Sequence, residues 1–226
     1  MKKPSKRIKE VSKLIDKTKI YSLKEAVAAL KQLPKPKFDE SVDLHLNLNI
    51  DPKQSDQLVR GTVVLPHGTG KKVRIAVFCK GEQEAKAREL GADFVGGQEL
   101  IDKVAAGFLD FDCAIATPEM MKDLSKVGKI LGPRGLMPSP KTGTVTMDIA
   151  RAIKEVKAGK IEFKNDKQGG VHVSVGKISF PAEQIFENAQ VALEAIKHIK
   201  PASIKGEMIK SISVATTMGA GLKISL

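Results

Sequence analysis

Aromatic surface is scarce in this chain: there is no Trp, one Tyr and eight Phe among 226 residues. Single-strand binders that stack successive bases on side-chain rings need more platforms than this, so stacking is excluded as the main mode of any nucleic-acid binding. Cysteine is scarcer still. Cys79 and Cys113 each stand inside an apolar run, which predicts two buried, reduced thiols rather than a disulfide framework. The four histidines, His45, His67, His172 and His198, are scattered without metal-ligand spacing, so neither a metal nor a cofactor is implied. No apolar run approaches the roughly 18 residues of a membrane span, and the N-terminus has no apolar signal core. The expectation is a cytoplasmic protein with no membrane partner, monomeric when free.

Positive charge is what the chain has in excess. The formal net charge is +12, and its placement is uneven. Met1–Lys37 carries 12 Lys/Arg against 3 Asp/Glu, whereas residues 38–66 carry 2 against 5. A basic segment of this density is the electrostatic footprint for an anionic polymer or an anionic membrane, with a solvated, solubilising tail as the plain alternative. If the partner is nucleic acid, then with few rings available recognition has to rest on backbone, shape and a structured fold.

Hydrophobic periodicity divides the chain into two architectures. Ile8, Val11, Leu14 and Ile15 predict an amphipathic helix over 5–16 with a basic outer face. Ser22 and Glu25 form a capping box for a second helix, which Leu33-Pro34-Lys35-Pro36 ends. Val42, Leu44, Leu46, Leu48 and Ile50 then alternate with Asp43, His45, Asn47 and Asn49, a strict period of two. That pattern predicts a strand of an antiparallel sheet covered on one face only; a second strand is expected over 61–65. From Val73 the pattern changes to continuous apolar strands at 73–79, 91–95 and 113–116, alternating with helices at 81–90, 98–106 and from Pro118 to Leu124. Such alternation predicts a parallel sheet covered on both faces.

A helix over 148–158 follows, with Gly159 past its end. The antiparallel signature then returns. Strands at 161–164 and 171–175 are expected as a hairpin joined by 165–170, with a further short strand at 178–180. A helix over 181–199 and strands at 208–216 and 222–224 complete the chain. The expected fold class is therefore α+β and α/β in two domains. A discontinuous antiparallel-sheet domain comprises 1–66 and 160–226, and an inserted parallel-sheet, Rossmann-like three-layer α/β domain comprises 67–159; one continuous α/β domain is the competing partition.

Motifs for chemistry are few. His67-Gly68-Thr69-Gly70-Lys71-Lys72 resembles a phosphate loop, but a Walker A motif needs Gly at Leu65, Ser or Thr at Lys72 and a helix after it. No G-x-G-x-x-G follows a strand, and no nucleophile has a partnered His. An enzyme is not expected; the alternative kept open is a two-domain enzyme holding a phosphorylated ligand between its lobes through the Gly68–Lys72 loop. Gly128–Thr146 is a different case. Four glycines and three prolines predict a fixed, irregular loop, and Lys129, Arg134 and Lys141 beside exposed amides suit either a phosphate contact or an elaborate connection.

The run Gly128-Lys129-Ile130-Leu131-Gly132-Pro133-Arg134-Gly135-Leu136-Met137-Pro138 closely resembles the signature of the bacterial large-subunit ribosomal protein L-one family. Lys37–Val42, Arg60-Gly61-Thr62, Leu65–Gly68, Gly91-Ala92-Asp93, Ala116-Thr117-Pro118, Phe163–Lys167 and Thr216–Gly219 carry the likeness over essentially the whole chain. The resemblance implies a non-enzymatic protein that binds large-subunit ribosomal RNA and forms the mobile side stalk beside the exit site for deacylated tRNA. It also implies repression of its own operon through a similar site in mRNA. The positions it marks for RNA contact are Lys37, Phe38, Asp166, Lys167, Ser211, Thr217, Met218 and Gly219. On that reading Phe38 and Met218 pack on sugar or base surfaces, Lys37 and Lys167 meet phosphates, and Ser211 and Thr217 bond 2′-hydroxyls, with Asp166 as an acceptor. Lys129, Arg134 and Lys141 are secondary contacts to stalk RNA or tRNA.

Overall fold

A computed structural model describes residues 6–16, 19–34, 36–201, 204 and 206–225. Ser5, the first residue of the expected N-terminal helix, lies outside the described residues, as do Lys2, Lys3, Lys17 and Lys35 of the basic segment. In chain order the elements are α1 (Lys6–Leu14), α2 (Leu23–Gln32), β1 (Ser41–Leu48), β2 (Arg60–Val64), β3 (Ile75–Phe78), α3 (Glu82–Glu89), β4 (Phe94–Gly96), α4 (Gln98–Ala105) and β5 (Cys113–Ala116). They continue with α5 (Met121–Leu124), α6 (Gly128–Leu131), α7 (Ile149–Lys157), β6 (Lys160–Lys164), β7 (Gly170–Lys177), α8 (Ala182–His198), β8 (Ile209–Thr216) and β9 (Leu222–Ile224). Two compact units result, one from Met1–Gly70 with Ile161–Leu226 and one from Lys71–Lys160.

The first unit is built on a four-stranded antiparallel sheet in the order β7-β1-β8-β9. The alternation in β1 sends Val42, Leu44, Leu46 and Leu48 into a core shared with Val171, Val173, Val175, Ile212 and Val214. α2 and α8 pack on this face through Val27, Leu30, Ile185, Ala189, Ala192 and Ile196. The capping box of α2 is present, with Ser22 Oγ accepting from Glu25 N and the Glu25 carboxylate accepting from Ser22 N.

Two expectations fail here. β6 and β7 are not a hairpin: β6 pairs with β2 in a separate two-stranded sheet, and only Asn165 bridges to Val171. Asn165 N donates to Val59 O and Val59 N donates to Asn165 Oδ1, both at 3.0 Å, which ties the end of β6 beside β2. Four residues on, Leu48 N donates to Gly169 O at 2.9 Å and delivers β7 to β1 instead. The turn therefore joins two sheets. Residues 178–180 form a turn rather than a strand, because Asp39 accepts from both the backbone N and the hydroxyl of Ser179.

The second unit has a parallel sheet in the order β4-β3-β5, with β3 buried along its length. Alternate residues of β3 feed two separate cores: Ala76 and Phe78 join α4 and α5, whereas Ile75 and Val77 join α3 and α7. This is why the sequence of β3 is continuously apolar. Pro118–Met120 is a 3-10 turn leading into the short α5. Gly128–Leu131 is helical rather than irregular, since Lys-Ile-Leu precedes the first proline and Leu131 is buried; the loop proper begins at Gly132. Neither cysteine is in a disulfide; Cys79 is fully buried, and burial pushes its thiol up to about 11, whereas Cys113 is half-buried.

One buried polar side chain ties α8 to the edge strand β7 and to the segment after β2. Asn188 of α8 is fully buried, donates to Gly68 O at 2.9 Å and to Val175 O at 2.8 Å, and accepts from His67 N at 3.1 Å. Asn188→Leu keeps the volume and strands one buried backbone group, Val175 O, at about 1–3 kcal/mol, and two part-buried ones, Gly68 O and His67 N, that water can partly satisfy. The expected loss is about 2–4 kcal/mol for the first unit, read as a lower denaturant midpoint with an unchanged slope.

Candidate nucleic-acid interface

The residues of β1 that do not enter the core, Asp43, His45 and Asn47, point to the opposite face of the sheet. Register places Ser174, His172 and Gly170 of β7 beside them on one side. Ala215, Ser213 and Ser211 of β8 flank them on the other, with Lys223 of β9 next to Ser213. These positions are exposed or half-buried. The face is polar, carries small hydroxyls and is flanked at both ends by loops.

At the end where β1 begins, the backbone is fixed by an unusual set of bonds. Thr217 N donates to Ser41 O at 3.1 Å and Ser41 N donates to Thr217 Oγ1 at 3.0 Å, so the hydroxyl extends the β1–β8 ladder by one rung. Glu40, only 4% exposed, accepts from Met218 N at 2.8 Å. Gly219 is required by space: a Cβ there would lie 2.2 Å from Thr216 Oγ1. Arg7 of α1 donates to Met218 O at 2.6 Å, bringing the basic N-terminal helix to the same place. With its backbone held in this way, Met218 leaves its side chain 57% exposed, and Phe38 nearby in sequence to Glu40 is 51% exposed. Lys37 is exposed beside it.

At the other end of β1 stands the 165–170 turn. Asp166 Oδ1 accepts from Gly170 N at 2.6 Å and Gln168 N at 2.8 Å, and these amides, the Gly170 amide most strongly, hold its carboxyl below the ordinary carboxylate range. Its second oxygen lies 3.6 Å from His172 Nε2. Asp166 thus builds the turn with one oxygen and keeps the other on the sheet face. Lys167 is exposed at the tip, and Ser211 is exposed opposite Asn47. Thr217, Met218 and Gly219 therefore lie at one end of this face and Asp166, Lys167 and Ser211 at the other, roughly 20 Å apart at ~3.4 Å per strand residue, while Lys37 and Phe38 precede β1 by a few residues.

Between the groups lies a pair that sequence reasoning did not single out. His45 and His172 are cross-strand neighbours with Nδ1···Nδ1 at 2.8 Å and rings edge to face at 5.0 Å. Burial, and then the neighbouring ring, lower the pKa of His45, against the opposing influence of Asp43. The polar alternation of β1 marked His45 as outward-facing; its partner 127 positions away became visible only through strand pairing.

Lys129, Arg134 and Lys141 belong to the second unit and not to this face. Lys129 is on α6, Arg134 follows it, and Lys141 sits in a 3-10 turn closed by Gly143 at φ 66°. All three are exposed, and none forms an ion pair with a described residue. The Gly68–Lys72 segment does not make a phosphate cradle: Lys71 pairs with Asp112 at 2.8 Å, and an extended segment into β3 follows rather than a helix. Among the described residues no group of three or more His, Cys, Asp or Glu is placed to hold a metal ion, and no helix is long and apolar enough to cross a membrane.

Residues 30–220 match the model of the Ribosomal protein L1p/L10e family. Similar proteins include the large ribosomal subunit protein uL1 of Kosmotoga olearia, 54% identical over 224 residues that cover 99% of this chain and 97% of that one. The uL1 protein of Fervidobacterium nodosum is 55% identical over 227 residues, covering 100% and 97% of the two chains. That of Protochlamydia amoebophila is 53% identical over 226 residues, covering 100% and 96%. On matches that span both architectures and both flanks of the polar face, the chain belongs to the ribosomal protein L1p/L10e family, and is a ribosomal protein rather than an enzyme.

Proposed function

We propose that this protein is a constituent of the large ribosomal subunit and binds large-subunit ribosomal RNA across the polar face of β7-β1-β8-β9. The observation that carries the reading is the rigidly held Thr217-Met218-Gly219 turn, which presents exposed Met218 near one end of a hydroxyl-rich sheet face, with exposed Phe38 just ahead of β1. Apolar side chains fixed in water by a bonded backbone gain most by covering a sugar or base, and Ser211 and Thr217 suit 2′-hydroxyls, which distinguish RNA from DNA. Lys37, Lys167 and the basic α1 supply phosphate contacts; Gly219 permits the close turn, and Asp166 shapes the other flank.

On this reading the RNA–protein unit is the mobile side stalk, which aids departure of deacylated tRNA from the exit site. A stem resembling the stalk in the mRNA of its own operon is bound in the same way, which represses translation. Lys129, Arg134 and Lys141 are then the second unit's contacts to stalk RNA or tRNA.

Phe38→Ala and Met218→Ala are each expected to cost about 1–2 kcal/mol of binding to a stalk RNA fragment, roughly 5- to 30-fold in Kd, with an unchanged far-ultraviolet dichroism spectrum. Wild-type affinity in both variants would remove the site assignment. Replacing Lys9 and Lys13 by Gln should make log K against log salt shallower by about 0.7–0.9 for each phosphate that is no longer neutralised; filter binding across a series of salt concentrations reads this directly. For the second unit, ribosomes carrying Lys129→Gln, Arg134→Gln and Lys141→Gln together should release exit-site tRNA more slowly in stopped-flow assays, and an unaltered rate would discard that role.

A further inference from the structure

The two imidazoles at the centre of the polar face are 2.8 Å apart at their Nδ1 atoms. At that separation one Nδ1 carries the hydrogen and the other is bare. Asp166 Oδ2, 3.6 Å from His172 Nε2, favours the tautomer with the hydrogen on that Nε2. His172 Nδ1 is then the acceptor, His45 Nδ1 is the donor, and His45 Nε2 is left as a bare lone pair. On this face an anionic ligand therefore meets an acceptor, where a donor is needed.

We propose that His45 takes up one proton from solvent at Nε2 when RNA binds, converting the His45–His172 pair from a neutral couple into a singly charged donor to a phosphate oxygen. The proposal rests on the RNA-binding reading of this face and adds to it a residue and a protonation step. The proton bonds the His45 Nε2 lone pair and nothing else changes partner: His45 Nδ1–H still donates to His172 Nδ1. A second proton on the pair would set two like charges at hydrogen-bond distance, so the count stops at one.

The surroundings set the direction. His45 faces Asp43 and Asn47 along its own strand, His172 and Ser174 on β7, and the uncharged Ser211, Ser213 and Ala215 on β8. The charged groups near the pair are Asp43, Asp166 beside His172, and Lys223 across Ser213 on β9. In the free protein, burial and the second ring hold His45 below the ordinary imidazole range, so it is neutral at pH 7. A phosphate within a few ångströms stabilises the imidazolium and raises that value. The bound state then holds more protons than the free state, and affinity rises as pH falls through the interval between the two values.

Calorimetry of wild-type protein with a stalk fragment of large-subunit ribosomal RNA at about pH 6.5, in two buffers of different ionisation enthalpy, tests this without any variant. The expected result is uptake of about half to one proton, and Kd tightening by roughly 5- to 10-fold from about pH 7.5 to about pH 5.5. Zero uptake with intact binding overturns the proposal. Failure to bind this RNA in either buffer overturns the reading of the face instead. His45→Gln, which keeps a neutral donor and acceptor, should abolish the uptake; if the same proton count persists in that variant, the proton goes elsewhere and the assignment to His45 falls.

Discussion

The first unit depends on β1 being hydrogen-bonded along both edges by strands that arrive more than a hundred residues later. Ser41–Asn47 pairs with Lys177–Gly170 on one side, and Val42–Leu48 pairs with Thr216–Ile209 on the other. β1 is the one long strand of the N-terminal portion, and with both its ladders unmade it would expose two rows of donors and acceptors as well as Leu44, Leu46 and Leu48. Every feature of the polar face follows from this pairing. The same register that interleaves Leu44 with Val173 and Val214 in the core sets His45 beside His172 and Ser213 outside it, because side chains alternate strictly along each strand.

The pairing also explains why the flanks of the face are rigid. Thr217 continues the ladder after β8 ends, borrowing its side chain to do what a backbone group would otherwise do, and Glu40 closes the turn from below. Asp166 performs the equivalent task at the far end, using one carboxylate oxygen to collect two amides. On the proposed reading of this face, a surface prepared in this way needs little ordering when a structured RNA binds, so more of the contact energy would appear as affinity. It also suits a chain with few rings: shape, hydroxyls and a small number of placed apolar and charged groups replace stacking.

Much of this was legible in the residues. The period of two in 42–50, the capping box at Ser22 and Glu25, and the continuous apolar run of β3 each predict their element because the cause is local: alternation, a side chain reaching three residues, burial on both faces. Two of the misreadings have a common origin. Residues 161–164 and 171–175 are spaced as a hairpin, but Asn165 binds Val59 and Gly169 binds Leu48, partners more than a hundred positions away that no spacing rule exposes. Ile178–Phe180 has strand composition, yet the Asp39 carboxylate makes it a turn. Gly128–Leu131 was hidden by the glycines and prolines that follow it, although its own four residues bury Leu131 in a helical turn.

What the sequence by itself determined is the identity of most of the elements, the change from antiparallel to parallel architecture and back, and the family, since long motifs such as Gly128–Pro138 are local strings. It also supplied Lys37, Phe38, Ser211, Thr217, Met218 and Gly219 as separate points. Only the tertiary structure decided that Ser211, Thr217, Met218 and Gly219 belong to one face and its end, that Asp166 is half consumed by its own turn, and that two histidines 127 positions apart share a hydrogen bond at the centre. The reason is physical: composition and periodicity report which side of an element is buried, whereas adjacency across a sheet is set by register, and register is fixed only when every strand has found its partner.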